Sequence, residues 1–125
     1  DQIITLYELA EKHIDNQSYD KSLKLLKKLT KREDLGTKRA DIYNLLGFSY
    51  RKLENPDLDK SFAAYMMAIE IDPSHLGAHE YLGELYLMRD QKDKAVIILK
   101  KLDQLAGSNT EEYKELKIAI DAYQS

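Results

Sequence analysis

The stretch LLGFSY at residues 45–50 returns as YLGELY at residues 81–86. Both stretches contain Leu-Gly with Tyr three residues after the glycine, and 36 residues separate them. A motif that returns at about this interval is typical of repeats built from two helices joined by a turn, about 34 residues each. Such repeats stack into arrays whose surfaces hold other molecules. The motif therefore predicts a fold of paired helices, and it favours a binding function over a catalytic one.

The composition is that of a helical protein without a basic surplus. The 125 residues include two prolines, five glycines and no cysteine, which favours helices and excludes disulfides and thiolate-zinc sites. Charged residues make up 33% of the chain, and the net charge is -3. Because a general nucleic-acid or anionic-membrane binder needs excess positive charge, we expect neither class. No apolar run approaches the ~20 residues that span a bilayer.

Apolar residues recur at helical spacing in seven segments, which short turns separate. The breaks fall at residues 16–18, 33–36, 55–57, 72–73, 90–92 and 107–109. Proline stops a helix because it cannot donate to the hydrogen-bond ladder, and Gly36 is expected to cap the second helix. The pattern predicts seven helices in antiparallel pairs, since such short turns force neighbouring helices together.

The two copies of the motif belong to a longer pattern. In the second unit it comprises Tyr43, Leu46, Gly47, Tyr50, Ser61, Tyr65, Ala68 and Pro73, and in the third His79, Leu82, Gly83, Tyr86, Ala95 and Leu99. A weaker first unit contains Leu6, Leu9, Ala10, His13, Tyr19, Ser22, Leu26 and Leu29. The pattern resembles the tetratricopeptide repeat, W-x-x-L-G-x-x-Y followed by A-x-x-x-F and Pro. Residues 77–86, 111–113 and 119–123 look like small stand-alone bacterial members of that family.

The resemblance implies an all-α superhelix, a TPR solenoid of three helix pairs with a C-terminal capping helix. Its units would be residues 3–36, 40–75 and 76–109, with the cap at 110–124, all within one domain of residues 1–125. The two motif glycines are expected where the two helices of one unit approach most closely. The last helix is expected to cover the open apolar edge of the stack.

No set of residues predicts catalysis or a cofactor. The stretch HEYLG at residues 79–83 begins like the zinc-protease motif, but glycine stands where the second histidine is required. His75 and His79 are four residues apart and could share a metal ion, although a helix-start position and a packing position explain them better. Glu80 and Glu84 form a carboxylate pair for which a solvated or partner-facing role is favoured over acid-base catalysis. We therefore predict a non-enzymatic protein without a metal or cofactor.

A basic run is expected on the outer face of the second helix. It comprises Lys24, Lys27, Lys28, Lys31 and Arg32. A nucleic-acid surface is one interpretation of this run. A solvated outer face that complements the negative end of the helix dipole is the favoured one.

The resemblance also implies a binding surface, because the first helices of successive units line the concave face in this family. The groove residues here are Tyr7, Glu11, Asp41, Asn44, Phe48, Arg51, Glu80, Tyr81, Glu84 and Lys114, with Ile118 beside Lys114. The carboxylate clamp of chaperone-tail binders is not expected, since its positions fall on Tyr7, Glu11, Leu45, Gly77 and Tyr81. The mixture of aromatics and carboxylates predicts a protein or peptide partner with apolar and basic side chains, rather than nucleic acid.

Two other functions stay open from the sequence. One is small-ligand or metal binding through His75 and His79, and the other is self-association into a homo-oligomer. The localisation is also open between cytoplasm and periplasm. Because the chain begins at Asp1 rather than Met, inside a helical pattern, we expect upstream residues to have been removed, either as a leader peptide or by trimming, and of the two compartments export is slightly favoured.

Overall fold

Across residues 2–124, the computed structural model contains seven α-helices and no strand. They are α1 (Gln2–Asp15), α2 (Tyr19–Leu29), α3 (Arg39–Lys52), α4 (Leu58–Ile71), α5 (Leu76–Met88), α6 (Lys92–Ala106) and α7 (Glu111–Ala122). In this part of the chain α1, α3 and α5 each pack against the helix that follows, and α7 packs against α5 and α6. The predicted all-α fold of three helix pairs with a C-terminal helix is therefore confirmed. No helix in the described range is both long and apolar enough to cross a membrane.

The chain divides between Asp72 and Pro73 into two compact units. Unit 1 contains α1 to α4 and unit 2 contains α5 to α7. Each unit buries its own aliphatic core, with Leu26 and Ile42 fully enclosed in unit 1 and Leu102 and Leu116 in unit 2. Removing this apolar surface from water is what stabilises each unit. The predicted repeat boundaries and the single domain stay predictions, although each predicted range contains one helix pair.

Gly47 lies where α3 and α4 approach each other closely. A Cβ atom at this position would come within 2.7 Å of two ring carbons of Tyr65 and 3.1 Å of the Ser61 carbonyl oxygen. The Ser61 hydroxyl donates a hydrogen bond of 2.7 Å to the Gly47 carbonyl oxygen, and both Ser61 and Tyr65 are fully buried. Only glycine leaves room for this contact, as the sequence predicted.

Gly83 has a different neighbour from the one expected. The atoms nearest to a Cβ at this position belong to Leu116 of α7, at 2.6 Å and 2.8 Å, and not to α6. The glycine in α5 therefore admits the C-terminal helix, whose first turn is fixed by Thr110. That side chain accepts a hydrogen bond of 3.1 Å from the Tyr113 amide. At the other end of α7, the Tyr123 hydroxyl donates to the Asp90 carboxylate at 2.5 Å.

The prediction that Gly36 caps the second helix is wrong. The helix α2 already ends at Leu29, with Thr30 as its C-cap. Gly36 instead begins a single 3₁₀ turn, Gly36–Lys38, with a φ of 57°. The cause is Leu35, which is buried in the core of unit 1 and so requires the chain to leave the helix and turn back before it.

The contact between Gly83 and Leu116 can be tested by a double-mutant cycle. Gly83→Ala should lower the free energy of unfolding by about 1–3 kcal/mol through overpacking, and Leu116→Ala by about 2–5 kcal/mol through a cavity. In the double variant the new methyl group enters the vacated space, so the loss should be smaller than the sum by about 0.5–3 kcal/mol. Urea unfolding followed by circular dichroism measures all four corners of the cycle. Strictly additive losses would show that the two residues do not meet.

Candidate functional site

The predicted groove residues of α3 share one face of that helix. Asp41, Asn44, Phe48 and Arg51 follow one another at intervals of three or four residues, which places them on one side of a helix. They differ in depth, because Asp41 and Phe48 are half-buried whereas Asn44 and Arg51 are each only 6% exposed. That this face binds a partner stays a prediction, and nothing in the sequence indicated the burial of its two polar members.

The 3₁₀ turn connects this face to α1. Lys38 Nζ lies 4.7 Å from the centre of the Tyr7 ring and 3.8 Å from Asp41 Oδ2. A cation above an aromatic ring is attracted by the ring's quadrupole, so Lys38 holds the α1 aromatic and the α3 carboxylate on one surface. Glu11, one turn after Tyr7, is exposed on α1. Within unit 1, Lys38 thus links two of the predicted groove residues, Tyr7 of α1 and Asp41 of α3.

Phe48 is the aromatic centre of the α3 face. Its ring meets Tyr19 of α2 edge-on, with 6.1 Å between the centroids. The Arg51 guanidinium lies 5.3 Å and the Lys52 ammonium 5.6 Å from the centre of the same ring. Edge-on packing is the favourable geometry for an aromatic pair. Phe48 is therefore a supported, half-buried anchor and not a mobile surface ring.

Asn44 carries a buried polar atom that lacks a hydrogen-bond donor among the described residues. Its Oδ1 atom is buried and accepts no hydrogen bond within the part of the chain that the structure describes. A buried acceptor without a donor costs about 1–3 kcal/mol, and native proteins rarely keep one without a reason. The atom belongs to a residue on the same helix face as Phe48.

In unit 2 the predicted residues Glu80 and Glu84 form a hydrogen-bonded carboxyl pair on α5. Burial, above all, raises the pKa of Glu80 to about 9, and the hydrogen bond and negative charge of Glu84 add to this effect. The charges of Glu112 and Glu115, which α7 brings close, act in the same direction. At neutral pH the Glu80 carboxyl therefore keeps its proton, and its O–H donates a hydrogen bond to Glu84.

The other two predicted groove residues of unit 2 are Tyr81 and Lys114, and neither is part of the carboxyl pair. Tyr81 follows Glu80 directly and is half-buried on α5. Lys114 is exposed on α7 and lines a shallow surface trough with Ser108, Tyr113, Lys117, Ile118 and Asp121. Lys114 is not among the groups that change the pKa of Glu80. The structure therefore joins Glu80 and Glu84 to α7 carboxylates, and it places Lys114 on a separate trough.

The two histidines of unit 2 have structural tasks. His75 is the N-cap of α5, where its Nδ1 atom accepts a hydrogen bond of 3.0 Å from the Ala78 amide. His79 is buried, and its Nε2 atom donates to the Pro73 carbonyl oxygen at 2.9 Å. Among residues 2–124, no group of three or more His, Asp or Glu side chains is arranged to hold a metal ion. Helix capping and packing therefore account for both rings, as the sequence favoured.

Sequence reasoning missed four residues that shape these faces. They are Tyr19, Lys38, Glu112 and Glu115. The two glutamates had a usable signal, because the last helix was predicted to cover the open edge of the stack, where its carboxylates could meet those of α5. Tyr19 and Lys38 had none, since their roles depend on how α2 and the 3₁₀ turn lie against other helices.

The carboxyl pair makes a prediction for stability against pH. A folded-state pKa near 9, above the ordinary 4.5, means that folded unit 2 binds an extra proton between these values. Its contribution to stability is fully present below about pH 4.5 and is lost as the pH rises towards 9. Glu80→Gln keeps a hydrogen-bond donor without a titrating charge, so its unfolding midpoint should fall less between pH 5.5 and 8.5 than that of the wild type.

Thermal unfolding across this pH range checks the prediction, with Glu111→Gln as the control. Glu111 also lies in unit 2 but is exposed in the first turn of α7, and its removal should leave the wild-type slope unchanged. A wild-type slope in Glu80→Gln would mean that the pair does not hold the proton.

Two curated relatives align with nearly the whole chain. Tetratricopeptide repeat protein 37 from Xenopus laevis is 30% identical over 128 residues, which cover 98% of this chain and 8% of the relative. ETO1-like protein 2 from Arabidopsis thaliana is 28% identical over 109 residues, which cover 87% of this chain and 11% of that protein. The chain thus spans about a tenth of the length of the curated relatives it matches. No protein-family model matches the sequence.

The first of these relatives is named for the repeat that the internal motif resembles. The Leu-Gly-x-x-Tyr stretches lie in α3 and α5, each of which packs against the following helix. Their glycines stand where another helix comes too close for a Cβ atom. By sequence, helix pairing and relatives together, the chain belongs to the tetratricopeptide repeat family.

Proposed function

We propose that this chain is a non-enzymatic interaction module whose first-helix faces bind a peptide or protein segment with apolar and basic side chains. The observation that carries the proposal is an equivalence of positions. Asn44 and Phe48 of α3 stand 36 residues before Glu80 and Glu84 of α5, the same interval that separates the two motifs. Equivalent positions of two repeats thus carry an unfilled acceptor and an anchor ring in one unit, and a carboxyl pair in the other.

The α3 face suits the backbone and an apolar side chain of an extended segment. Once its side chain turns outwards on binding, the Asn44 Oδ1 atom, buried and unfilled among the described residues of the free protein, would accept a peptide N–H, which is the commonest donor that an extended chain offers. One turn away, the Phe48 ring presents a supported aromatic surface on which an apolar side chain would pack. Aromatic anchors of this kind supply most of the binding energy in many interfaces.

The α5 face suits a cation. Glu80 lies close to Glu84, Glu112 and Glu115, whose negative charges raise its pKa. All the charged groups that change the pKa of Glu80 are acidic. A guanidinium group from a partner would pair with both carboxylates of α5 in the bidentate manner that arginine favours. Such a cation would take the place of the proton that the pair shares in the free protein.

The binding faces can be tested with an array of peptides in which arginine alternates with leucine or phenylalanine. A second array, with glutamate in place of every arginine, is the comparison. Phe48→Ala should weaken the basic peptides at least about tenfold, as expected for loss of an anchor worth more than about 1.4 kcal/mol. Glu84→Arg should abolish their binding or reverse the charge preference. Ile97→Ala, which removes an exposed side chain of α6, is the control and should bind as the wild type does.

Circular dichroism must show wild-type helicity for every variant in this comparison. Wild-type protein that binds acidic peptides as well as basic ones, or a Glu84→Arg variant that keeps the wild-type preference, would contradict the assignment of the faces.

The affinity for an arginine peptide should also depend on pH. Because the Glu80 carboxyl must lose its proton to pair with the cation, the dissociation constant should fall as the pH rises from 6 towards 9. In Glu80→Gln the same titration should be flat, with an affinity close to that of the wild type near pH 6 and lower than it as the pH rises towards 9. Fluorescence anisotropy with a labelled arginine peptide measures both curves, and arginine keeps its own charge over this range. A steep dependence in the Gln variant would place the titrating group elsewhere.

A further inference from the structure

The outer surface of α2 carries a ridge of lysines without acidic partners. The ridge consists of Lys24 and Lys28, with Lys21, Lys27 and Lys31 beside it, and all five side chains are exposed. Within the described part of the chain, none of the five enters an ion pair. Arg32, which completes the basic run in the sequence, is different because it pairs with Asp34 at 2.8 Å.

The helix dipole accounts for only part of this ridge. Lys27 and Lys28 lie in the last turn of α2, where a positive charge is favourable. Lys21 and Lys24 lie nearer its beginning, where the dipole offers no such gain, and like charges four residues apart repel each other. A merely solvated face does not require this crowding of one sign.

Two surface troughs flank the ridge, each with at least one leucine side chain among its lysines, and both lie within unit 1. One runs between α1 and α2 with Leu9 and Leu25 as its floor, and it is lined by His13, Lys21, Lys24 and Lys28. The other has Leu23 as its apolar member and is lined by Asp20, Lys24, Lys27, Lys28 and Lys31. Lys24 and Lys28 therefore separate two places where an apolar side chain could be covered. Leu9 is 42% exposed, which leaves apolar surface open beside the ridge.

The chemistry of the surface selects among possible occupants. Nucleic acid is disfavoured, because neither trough contains the aromatic side chains on which bases stack. A small organic ligand is disfavoured by size, since the trough at Leu9 encloses about 230 Å³ and ligand pockets usually enclose about 300–1,000 Å³. A partner helix fits better, because carboxylates four residues apart on it have the same spacing as Lys24 and Lys28.

We propose that the α2 ridge docks an acidic amphipathic helix of a partner protein. Glutamates at i and i+4 of that helix pair with Lys24 and Lys28, and an apolar side chain from its adjacent face covers Leu9 and Leu25. The surface is separate from the first-helix faces and selects the opposite charge, so it stands independently of the peptide-binding function proposed above.

The test uses a synthetic helical peptide with glutamate pairs at i, i+4 and leucines along one adjacent face. An isomer of the same composition, with the leucines scattered around the helix, is the matched probe. Fluorescence anisotropy should show the patterned peptide binding at least about tenfold more tightly than the isomer. Lys24→Glu with Lys28→Glu should abolish this binding, and the neutral pair K24Q and K28Q should weaken it with helicity retained. The double reversal of the exposed α6 residues Lys100 and Lys101 should have no effect.

Leu9→Ser separates docking from simple charge attraction. It should weaken the patterned peptide several-fold and leave the isomer unchanged, because only the patterned peptide covers the trough. The proposal is overturned if the two peptides bind equally or if neither binds. It is also overturned if duplex DNA or phosphatidylserine vesicles bind the ridge more tightly than the patterned peptide does. Light scattering in which wild-type protein self-associates and the lysine reversal does not would assign the ridge to a second copy of the chain instead.

Discussion

The close approach of another helix to the motif glycine is the constraint on which both units depend. At Gly47 the neighbour is the Tyr65 ring with the Ser61 carbonyl, and at Gly83 it is Leu116. Because protein interiors are packed without spare volume, a single methyl group at either position must displace a buried side chain. A glycine inside a helix costs about 0.5–1 kcal/mol relative to alanine, and both units accept that cost to gain the contact. The glycine therefore fixes which side of α3 and of α5 is turned inwards.

Once the inward side of a helix is fixed, the position of every other residue around it follows. Asn44 and Phe48 in α3, and Glu80 and Glu84 in α5, stand at the same distances before and after the motif glycine of their helix. They therefore point in equivalent directions around their helices, although their neighbours and their chemistry differ. Packing determines where these side chains lie and leaves their identity free. Two repeats with one backbone arrangement can thus present an amide and a ring in one unit and two carboxyls in the other.

The sequence predicted the helices, their pairing and the residues that share each face, because periodicity reports direction around a helix axis. It did not predict depth. Asn44 and Arg51 belong to the α3 face as expected, yet both are almost fully buried, since depth depends on neighbours from other helices. The protonated state of Glu80 was beyond reach for the same reason, because it results from burial and from α7 carboxylates. Gly36 was misjudged because the burial of Leu35, and not a local capping signal, sets the course of that loop.

Burial also decides how strongly the α2 lysine ridge and the Glu80–Glu84 pair each argue for a binding partner. By density of charge, the five lysines of the α2 ridge would rank above the Glu80–Glu84 pair. The lysines are exposed, however, so water and salt screen their repulsion over about 8 Å at physiological ionic strength, and the cost to folding is small. The carboxyl pair is partly desolvated, where the same repulsion acts through a medium of lower dielectric constant and forces one group to keep its proton. A fold with no use for that arrangement would be as well served by glutamine at position 80. The α5 pair is therefore the stronger indication of a partner, and the α2 ridge depends on its two surface troughs, more than on its charge, for a comparable argument.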